Sequence, residues 1–126
     1  SINGGVQLDL MGQENAESTG TRQLSGVGGQ MDFLEGAYRS KGGKGFICIN
    51  SSRVTKDGER KSNILATIPG GSTISAPRTM IQYVATEYGI ASLAGKTLRE
   101  RAEAMASIAH PDFREELMKY ARENFK

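Results

Sequence analysis

The sequence has 126 residues, a net charge of +2 and 37% hydrophobic residues. This length fits one domain, and the small, mixed charge excludes a basic surface for nucleic acid or for an anionic membrane. No apolar run approaches the ~20 residues that span a bilayer, and no signal peptide is visible. A single cysteine, Cys48, and a single histidine, His110, exclude an internal disulfide and a zinc site built from several Cys and His ligands. The lone cysteine fits a reducing compartment, so a cytoplasmic location is expected.

The first predicted element is a strand at residues 6–10 (VQLDL), where apolar and polar residues alternate. Residues 12–26 (GQENAESTGTRQLSG) are polar and rich in turn-forming residues. We expect this stretch to run over the surface close to a functional site.

The spacing of Met31, Leu34 and Tyr38 predicts a helix within residues 29–40, weakened by a glycine at position 36. Three further strands are expected at residues 45–50 (GFICIN), 63–68 (NILATI) and 81–86 (IQYVAT). The continuous apolar run of GFICIN suits a strand covered on both faces, as in a parallel sheet. It contains the cysteine, which is therefore expected to be a buried thiol.

Two helices are predicted in the C-terminal third. Thr97 and Glu100 form a capping box for the first, and Pro111 stands where a helix tolerates a missing N–H, at the start of the second. The apolar residues at helical spacing are expected to face the core: Leu98, Ala102, Met105, Ala109, Phe113, Leu117, Tyr120 and Ala121. Strands mixed with helices in this way indicate an α/β layer domain.

Three glycines crowd into four positions of the stretch SGVGGQMDF: Gly26, Gly28 and Gly29. The simplest interpretation is a tight connection between a surface loop and a helix. The functional interpretation is a cradle of bare backbone, in which free N–H groups at a helix start attract a phosphate or a developing oxyanion.

A nucleotide-binding domain of the NADP type is the alternative interpretation of this loop. Two glycines of the dinucleotide fingerprint G-x-G-x-x-G are present, but Met31 occupies the third position and Asn50 stands where an acidic residue belongs. Arg53 could serve a 2′-phosphate instead. The strand required before the loop would have to be TRQLS (residues 21–25), whose composition is poor for a strand.

Glu87 is the second candidate site residue. It follows the predicted strand IQYVAT, and ligands of open α/β sheets bind beyond the carboxyl ends of strands. The competing interpretation is a solvated loop carboxylate.

Four stretches of the chain resemble the acetyl-CoA hydrolase/transferase family in order and spacing: DLMGQENAES, SGVGGQMDFLEGA, VATEYGIASLAGKTLRERA and IAHPDFREEL. Within this family, the 4-hydroxybutyrate CoA-transferase branch is the most similar. The resemblance covers about residues 2–125 and lies in the C-terminal part of the C-terminal domain. It implies that residues 1–126 form a single unit, a fragment of that domain, with an open, mostly parallel sheet flanked by helices. This fold is shared by CoA-transferases and sugar-phosphate isomerases.

The resemblance also implies an activity for the parent enzyme. Family members move CoA between an acyl-CoA and a carboxylate such as acetate or 4-hydroxybutyrate, or hydrolyse the thioester, through a glutamyl-CoA thioester. The attacking glutamate is expected outside this chain, so the isolated chain is expected to be inactive. No permanently bound cofactor and no metal are implied, because CoA and acyl-CoA are substrates. The expected partners are the missing N-terminal domain and, in the parent, further copies of the same chain.

Individual roles follow from the same resemblance. The backbone N–H of Gly29 matches an oxyanion-hole donor, Gly28 keeps the approach open, and Glu87 matches a second active-site carboxylate that handles water or orients the nucleophile. The resemblance places further polar residues near the CoA pocket: Gln13, Asn15, Ser18 and Gln30. A domain with only a structural or assembly role is the remaining hypothesis.

Overall fold

The computed structural model describes all 126 residues, with short strands, three α-helices and one 3₁₀ turn at Arg78–Met80. The strands are β1 (Ile2–Gly4), β2 (Gln7–Asp9), β3 (Glu14–Asn15), β4 (Ser18–Thr19), β5 (Arg22–Gln23), β6 (Phe46–Cys48), β7 (Ser52–Val54), β8 (Arg60–Ser62), β9 (Ile64–Leu65), β10 (Tyr83–Thr86) and β11 (Gly89–Ser92). The helices are α1 (Gln30–Arg39), α2 (Leu98–Ser107) and α3 (Pro111–Asn124).

The main sheet has four strands in the order β1-β6-β10-β11. β6 pairs in parallel with β1 on one side and β10 on the other, and β11 closes the sheet antiparallel to β10. The prediction of a covered, parallel strand in GFICIN is confirmed, since β6 is the strand between two parallel neighbours and Ile47 is fully buried. Gly4, Cys48 and Ala85 are register partners, so β1, β6 and β10 end at one carboxyl edge.

A second sheet, in the order β3-β2-β9, carries the residues predicted as VQLDL. The expected alternation gives way here to burial of both faces, because Gln7 and Asp9 are buried together with Leu8 and Leu10. Burial of Asp9 is compensated by three hydrogen bonds, from the backbone N–H groups of residues 11 and 13 and from the side-chain amide of residue 13.

The expectation that residues 12–26 run over the surface is wrong for their first half. Glu14, Asn15, Glu17 and Ser18 are all buried. Polar composition does not lead to solvent exposure here, because each of these side chains has a hydrogen-bonding partner inside the protein. From Thr19 onward the stretch is mostly exposed, and the β4–β5 hairpin leads from the buried Ser18 into this exposed part.

The remaining strands are short. Of the strand expected at residues 63–68, only the two residues of β9 form a strand. Of the strand expected at residues 81–86, β10 covers residues 83–86. β11 directly follows Glu87 and Tyr88, so these two residues form the turn of a β-hairpin.

The capping box predicted for α2 is present, with Thr97 and Glu100 bonded reciprocally. Pro111 begins α3, and the His110 ring nitrogen caps it by accepting the N–H of Asp112. The helices contribute most of their predicted apolar stripe to the core, but Leu98 is largely exposed. In α1 only Leu34 is fully buried.

Arg101 ties α2 to three separate loops. Its guanidinium is buried and donates to the backbone carbonyls of Met11 at 2.8 Å, Leu93 at 3.0 Å and Arg78 at 2.7 Å. Burial, and the neighbouring charge of Arg78, lower the pKa of Arg101. This side chain therefore connects the loop after β2 with the C-terminal helical layer.

Candidate active site

The carboxyl edge of the main sheet opens into a cleft of about 440 Å³. The cleft is lined by Gly5, Cys48, Ile49, Asn50, Ala85 and Thr86. Cys48 is only half-buried, so the prediction of a buried thiol is wrong. Clefts outside the carboxyl ends of parallel strands are where open α/β sheets bind ligands.

The glycine loop reaches this edge through Gln30, the first residue of α1. The Gln30 side-chain amide donates to the carbonyl of Gly4, at the end of β1, over 3.1 Å. No side chain caps α1, and the backbone N–H groups of Gly29, Gln30 and Met31 have no acceptor within the chain. Free N–H groups and the positive end of the helix dipole together favour a negative group at this point.

The two adjacent glycines of the loop differ in their need to be glycine. Gly28 has a φ of +61°, a conformation that other residues rarely adopt. Gly29 has an ordinary φ of −101°, and a Cβ built there would meet only the Phe33 ring at 3.5 Å and 3.8 Å and the Asp32 carboxylate at 3.9 Å. The fold itself therefore has no evident need for glycine at position 29.

Glu87 lies in the turn between β10 and β11, immediately beyond the cleft. Its carboxylate accepts the backbone N–H of Ser51 at 3.0 Å and 3.2 Å, and the Ser51 hydroxyl also donates to it. Desolvation raises the pKa of Glu87, but these hydrogen bonds and the nearby His110 outweigh it and hold the pKa below its ordinary value. A carboxylate that stays ionised at neutral pH thus stands at the carboxyl edge.

Sequence reasoning missed two residues beside this carboxylate. Ser51 follows β6 at the same edge, a position that the strand prediction for GFICIN could have pointed to. His110 packs edge-on against the Tyr88 ring at 5.7 Å, and the Arg114 guanidinium covers that ring at 4.9 Å. These contacts hold the β10–β11 turn against the start of α3.

The structure buries Asn15 and Ser18 and leaves Gln13 half-buried. The Gln13 amide donates to the Asp9 carboxylate, and the Asn15 side chain accepts the backbone N–H groups of residues 17 and 18. The Ser18 hydroxyl accepts the N–H of Thr73 at 3.0 Å. These bonds shape the loop between β2 and β4, and the contact of Gln13 and Ser18 with CoA stays a prediction.

A buried carboxyl lies directly behind the cleft. Glu14 is fully buried and accepts a hydrogen bond from the Gln30 amide at 2.9 Å. Desolvation raises the pKa of Glu14 to about 7, with a smaller contribution from Glu17 in the same direction and an opposing one from the Gln30 hydrogen bond.

The dinucleotide alternative does not fit this arrangement. The fingerprint needs a strand of the parallel sheet directly before the glycine loop, whereas β5 belongs to a separate two-stranded hairpin. Arg53 lies on β7, bonds to Asn63, and lines a different groove of about 410 Å³ beside α3. That groove contains none of the other predicted site residues.

No group of three or more His, Cys, Asp and Glu side chains is arranged to hold a metal ion. None of the helices combines the length and the hydrophobicity needed to cross a membrane.

Several known proteins resemble this chain in sequence and in structure. The chain is 50% identical to the butyryl-CoA:acetate CoA-transferase of Anaerostipes caccae and to the 4-hydroxybutyrate coenzyme A transferase of Clostridium kluyveri. The alignments cover 96% and 99% of this chain but 27% and 28% of those proteins. RipA from Yersinia pestis superposes with a TM-score of 0.83 at 41% identity, over 98% of this chain and 27% of RipA.

The chain thus spans about a quarter of the length of these relatives. Residues 1–121 match the model of the acetyl-CoA hydrolase/transferase C-terminal domain. The resemblance found in the sequence is therefore confirmed, and the chain belongs to the acetyl-CoA hydrolase/transferase family.

Proposed function

We propose that this chain forms the oxyanion-stabilising part of a CoA-transferase active site, as the C-terminal part of that enzyme's C-terminal domain. The whole protein would move CoA between an acyl-CoA and a small carboxylate such as acetate, butyrate or 4-hydroxybutyrate. The observation that carries the proposal is the uncapped start of α1, with its free N–H groups, at the same sheet edge as the ionised Glu87.

The reaction needs such donors at each step. A glutamate carboxylate adds to the thioester carbonyl and expels CoA thiolate, which gives a mixed anhydride. The thiolate then attacks the glutamyl carbonyl, forms the glutamyl-CoA thioester and releases the first carboxylate; a second carboxylate reverses the sequence. Every addition places a negative charge on a carbonyl oxygen, which backbone N–H groups at a helix start stabilise. We place the attacking glutamate outside residues 1–126.

Within this chain, two glycines and one carboxylate have roles in the proposed reaction. Gly29 donates its N–H to the oxyanion, and the absence of a side chain there leaves room for the thioester. Gly28 supplies the backbone turn that aims this N–H. Glu87, held by Ser51, stays unacylated and orients the nucleophile or a water molecule.

The test uses the whole protein that contains this chain. We expect it to convert acetyl-CoA and butyrate or 4-hydroxybutyrate into the new acyl-CoA, and Gly29→Val to lower turnover about 10²–10³-fold, the usual cost of losing one oxyanion donor. Gly36→Val is the matched control, because Gly36 lies in α1 and a Cβ there meets nothing within 4 Å. Absence of CoA exchange in the unaltered protein would overturn the proposal, and a fully active Gly29→Val variant would remove Gly29 from it.

The 126-residue chain alone should exchange no CoA and gain no CoA adduct on any glutamate. Mass spectrometry after incubation with acetyl-CoA checks this, and an adduct would move the nucleophile into this chain.

Hydrolysis is the second candidate, because the family is described by both activities. The two differ in whether water reaches the glutamyl-CoA intermediate. Release of free CoA thiol without any added carboxylate distinguishes the hydrolase from the transferase.

A further inference from the structure

We infer that Glu14 is a positioning residue, whose buried carboxyl fixes the start of α1, and with it the Gly29 N–H, through the Gln30 side chain. This inference rests on the proposed function for its catalytic consequence. Its structural part, the fixing of the helix start, stands on the contacts around Glu14 alone.

The Glu14 backbone is held on two sides. β3 pairs with β2, where Glu14 lies opposite Leu8, and Glu14 also forms an isolated bridge with Ala76. Its N–H donates to the Ala76 carbonyl at 3.1 Å, and its carbonyl accepts the N–H of Ser75 at 2.8 Å. The carboxyl therefore projects from a fixed point of the second sheet.

The carboxyl fills a space made by Gly5. A Cβ on Gly5 would come within 2.9 Å of the Glu14 Oε1 atom and within 3.1 Å of the Ile47 and Ile49 side chains. Gly5 itself lines the cleft. The carboxyl oxygen thus lies directly behind the cleft wall and is shielded from bulk solvent.

The Gln30 amide connects this carboxyl to the helix. Its nitrogen donates one hydrogen to Glu14 Oε1 at 2.9 Å and the other to the Gly4 carbonyl at 3.1 Å. Because α1 has no side-chain cap, these two bonds are the polar contacts that tie its first residue to the sheet. Both hydrogens of the amide nitrogen are used in these two bonds, so the Gln30 side chain anchors the loop through contacts within the protein.

Two oxygens in this cluster have no partner. Glu14 Oε2 and Gln30 Oε1 are both buried and make no hydrogen bond within the chain. A fully buried acid with an unpaired oxygen is costly for stability, so its retention needs a gain elsewhere. Precise placement of the neighbouring N–H groups is such a gain, since a displacement of about 1 Å can slow a reaction 10²-fold.

The test compares two substitutions of Glu14 in the whole protein. Glu14→Leu removes the acceptor for Gln30 and should lower kcat for CoA transfer about 10–100-fold, with KM for acyl-CoA within about twofold. Glu14→Gln keeps an oxygen that accepts the same hydrogen bond and should restore most of the turnover. Equal losses in both variants would overturn a positioning role.

A double-mutant cycle shows whether the effect passes through Gln30. Gln30→Met alone should reproduce the loss in kcat, and the double variant should lose no more than either single variant. Gln82→Met is the matched control, since Gln82 accepts a comparable hydrogen bond from Gly45, before the amino ends of β6 and β10, and should leave kcat unchanged. Additive losses would contradict the coupling.

Amide hydrogen exchange separates this inference from the proposed function. The amide of Phe33, which is hydrogen-bonded to the Gly29 carbonyl and closes the first turn of α1, should exchange at least tenfold faster in Glu14→Leu and in Gln30→Met, and at the unaltered rate in Gln82→Met. This holds even if the protein transfers no CoA, in which case only the proposed function fails. Unchanged exchange in both folded variants would overturn the inference, and Gln30→Met decides if Glu14→Leu does not fold.

Discussion

Two carboxylates near the carboxyl edge have pKa values shifted in opposite directions by their surroundings. Desolvation raises the pKa of the buried Glu14 to about 7, and it also acts on Glu87, where the hydrogen bonds from Ser51 outweigh it and keep the pKa low. One residue is therefore half-protonated near neutral pH while the other stays charged, which gives each its own pH dependence.

The substitution Glu87→Gln, made in the whole protein, tests the role of the ionised carboxylate. The proposed function places the nucleophile outside this chain, so we expect the glutamyl-CoA intermediate to form in the variant, and turnover to fall about 10²-fold if the carboxylate transfers a proton. Steady-state rates and the mass of the trapped protein measure the two effects. Turnover equal to that of the unaltered protein would make Glu87 a simple loop carboxylate, and loss of the intermediate would assign it an earlier step.

Glu14 should make the free energy of unfolding fall with rising pH. Its pKa is about 7 in the folded state against 4.5 as the ordinary value, so between these pH values the folded state binds more protons than the unfolded state. Stability should therefore fall from pH 4.5 to 7, by on the order of 3 kcal/mol, and then level off.

Urea denaturation of the chain at pH 5 and pH 8 measures this difference. Glu14→Gln should lose the Glu14 contribution, so its stability should depend less on pH between 5 and 8. The exposed Glu115→Gln is the control and should keep the full pH dependence. The same slope in Glu14→Gln would show that this carboxyl does not titrate in the range.

The sequence alone predicts that Glu87 lies at the sheet edge, but it predicts neither its partner Ser51 nor the position of Glu14. A carboxylate directly after an apolar strand is readable as an edge residue, because strand ends meet at one edge of a parallel sheet. Ser51 and Glu14 depend on contacts across 36 and 16 residues, which no local pattern encodes. Their polarity favoured solvent exposure, and Glu14 is buried instead.

At the scale of elements, the connection from α1 to β6 depends on two adjacent glycines. Gly42 has a φ of +69° with open space around it, whereas a Cβ on Gly43 would overlap the carbonyl oxygen of Ala37 in α1. The first glycine is needed for its conformation, and the second for the close approach of the loop to the helix.

Substituting these glycines should separate the two requirements. Gly42→Ala should cost about 1–2 kcal/mol, the usual penalty for a left-handed conformation, and Gly43→Ala about 2–4 kcal/mol, because backbone must move. Chemical denaturation of both variants gives the comparison. A smaller loss for Gly43→Ala than for Gly42→Ala would contradict the close packing of the loop against α1.

In the C-terminal third the sequence predicts where the helices begin, but nowhere does it predict the lengths of the strands. Thr97, Glu100 and Pro111 act locally, within one helical turn, so their pattern defines the start of α2 and α3. Strands of two to four residues owe their existence to distant partners, as β2 does to β9. Such pairing leaves no period in the sequence from which the strand ends can be derived.

At the scale of the whole molecule, Arg101 should matter more than any exposed charge. Its three nitrogens each donate to a different backbone carbonyl, a fork that a single lysine ammonium does not reproduce. Arg101→Lys should therefore lower the free energy of unfolding by about 2–4 kcal/mol, since buried carbonyls lose their donors.

Arg99→Lys is the matched control for this substitution. Arg99 lies on the same helix in an exposed ion pair with Glu103, and its replacement should change stability by less than about 0.5 kcal/mol. Denaturation curves of the two variants provide the measurement. Similar small losses in both would show that the three carbonyls find other donors.

The hydrogen bond from Arg101 to Met11 also has a consequence for the order of events during synthesis. The two residues are 90 positions apart in the chain. At the usual rates of translation, of 5–20 residues per second, about 5–20 s pass between the appearance of the two residues at the ribosome. During this interval the loop after β2 lacks its tie to α2, and its apolar neighbours lack their final cover. We therefore expect the loop after β2 to reach its final conformation only after α2 has emerged.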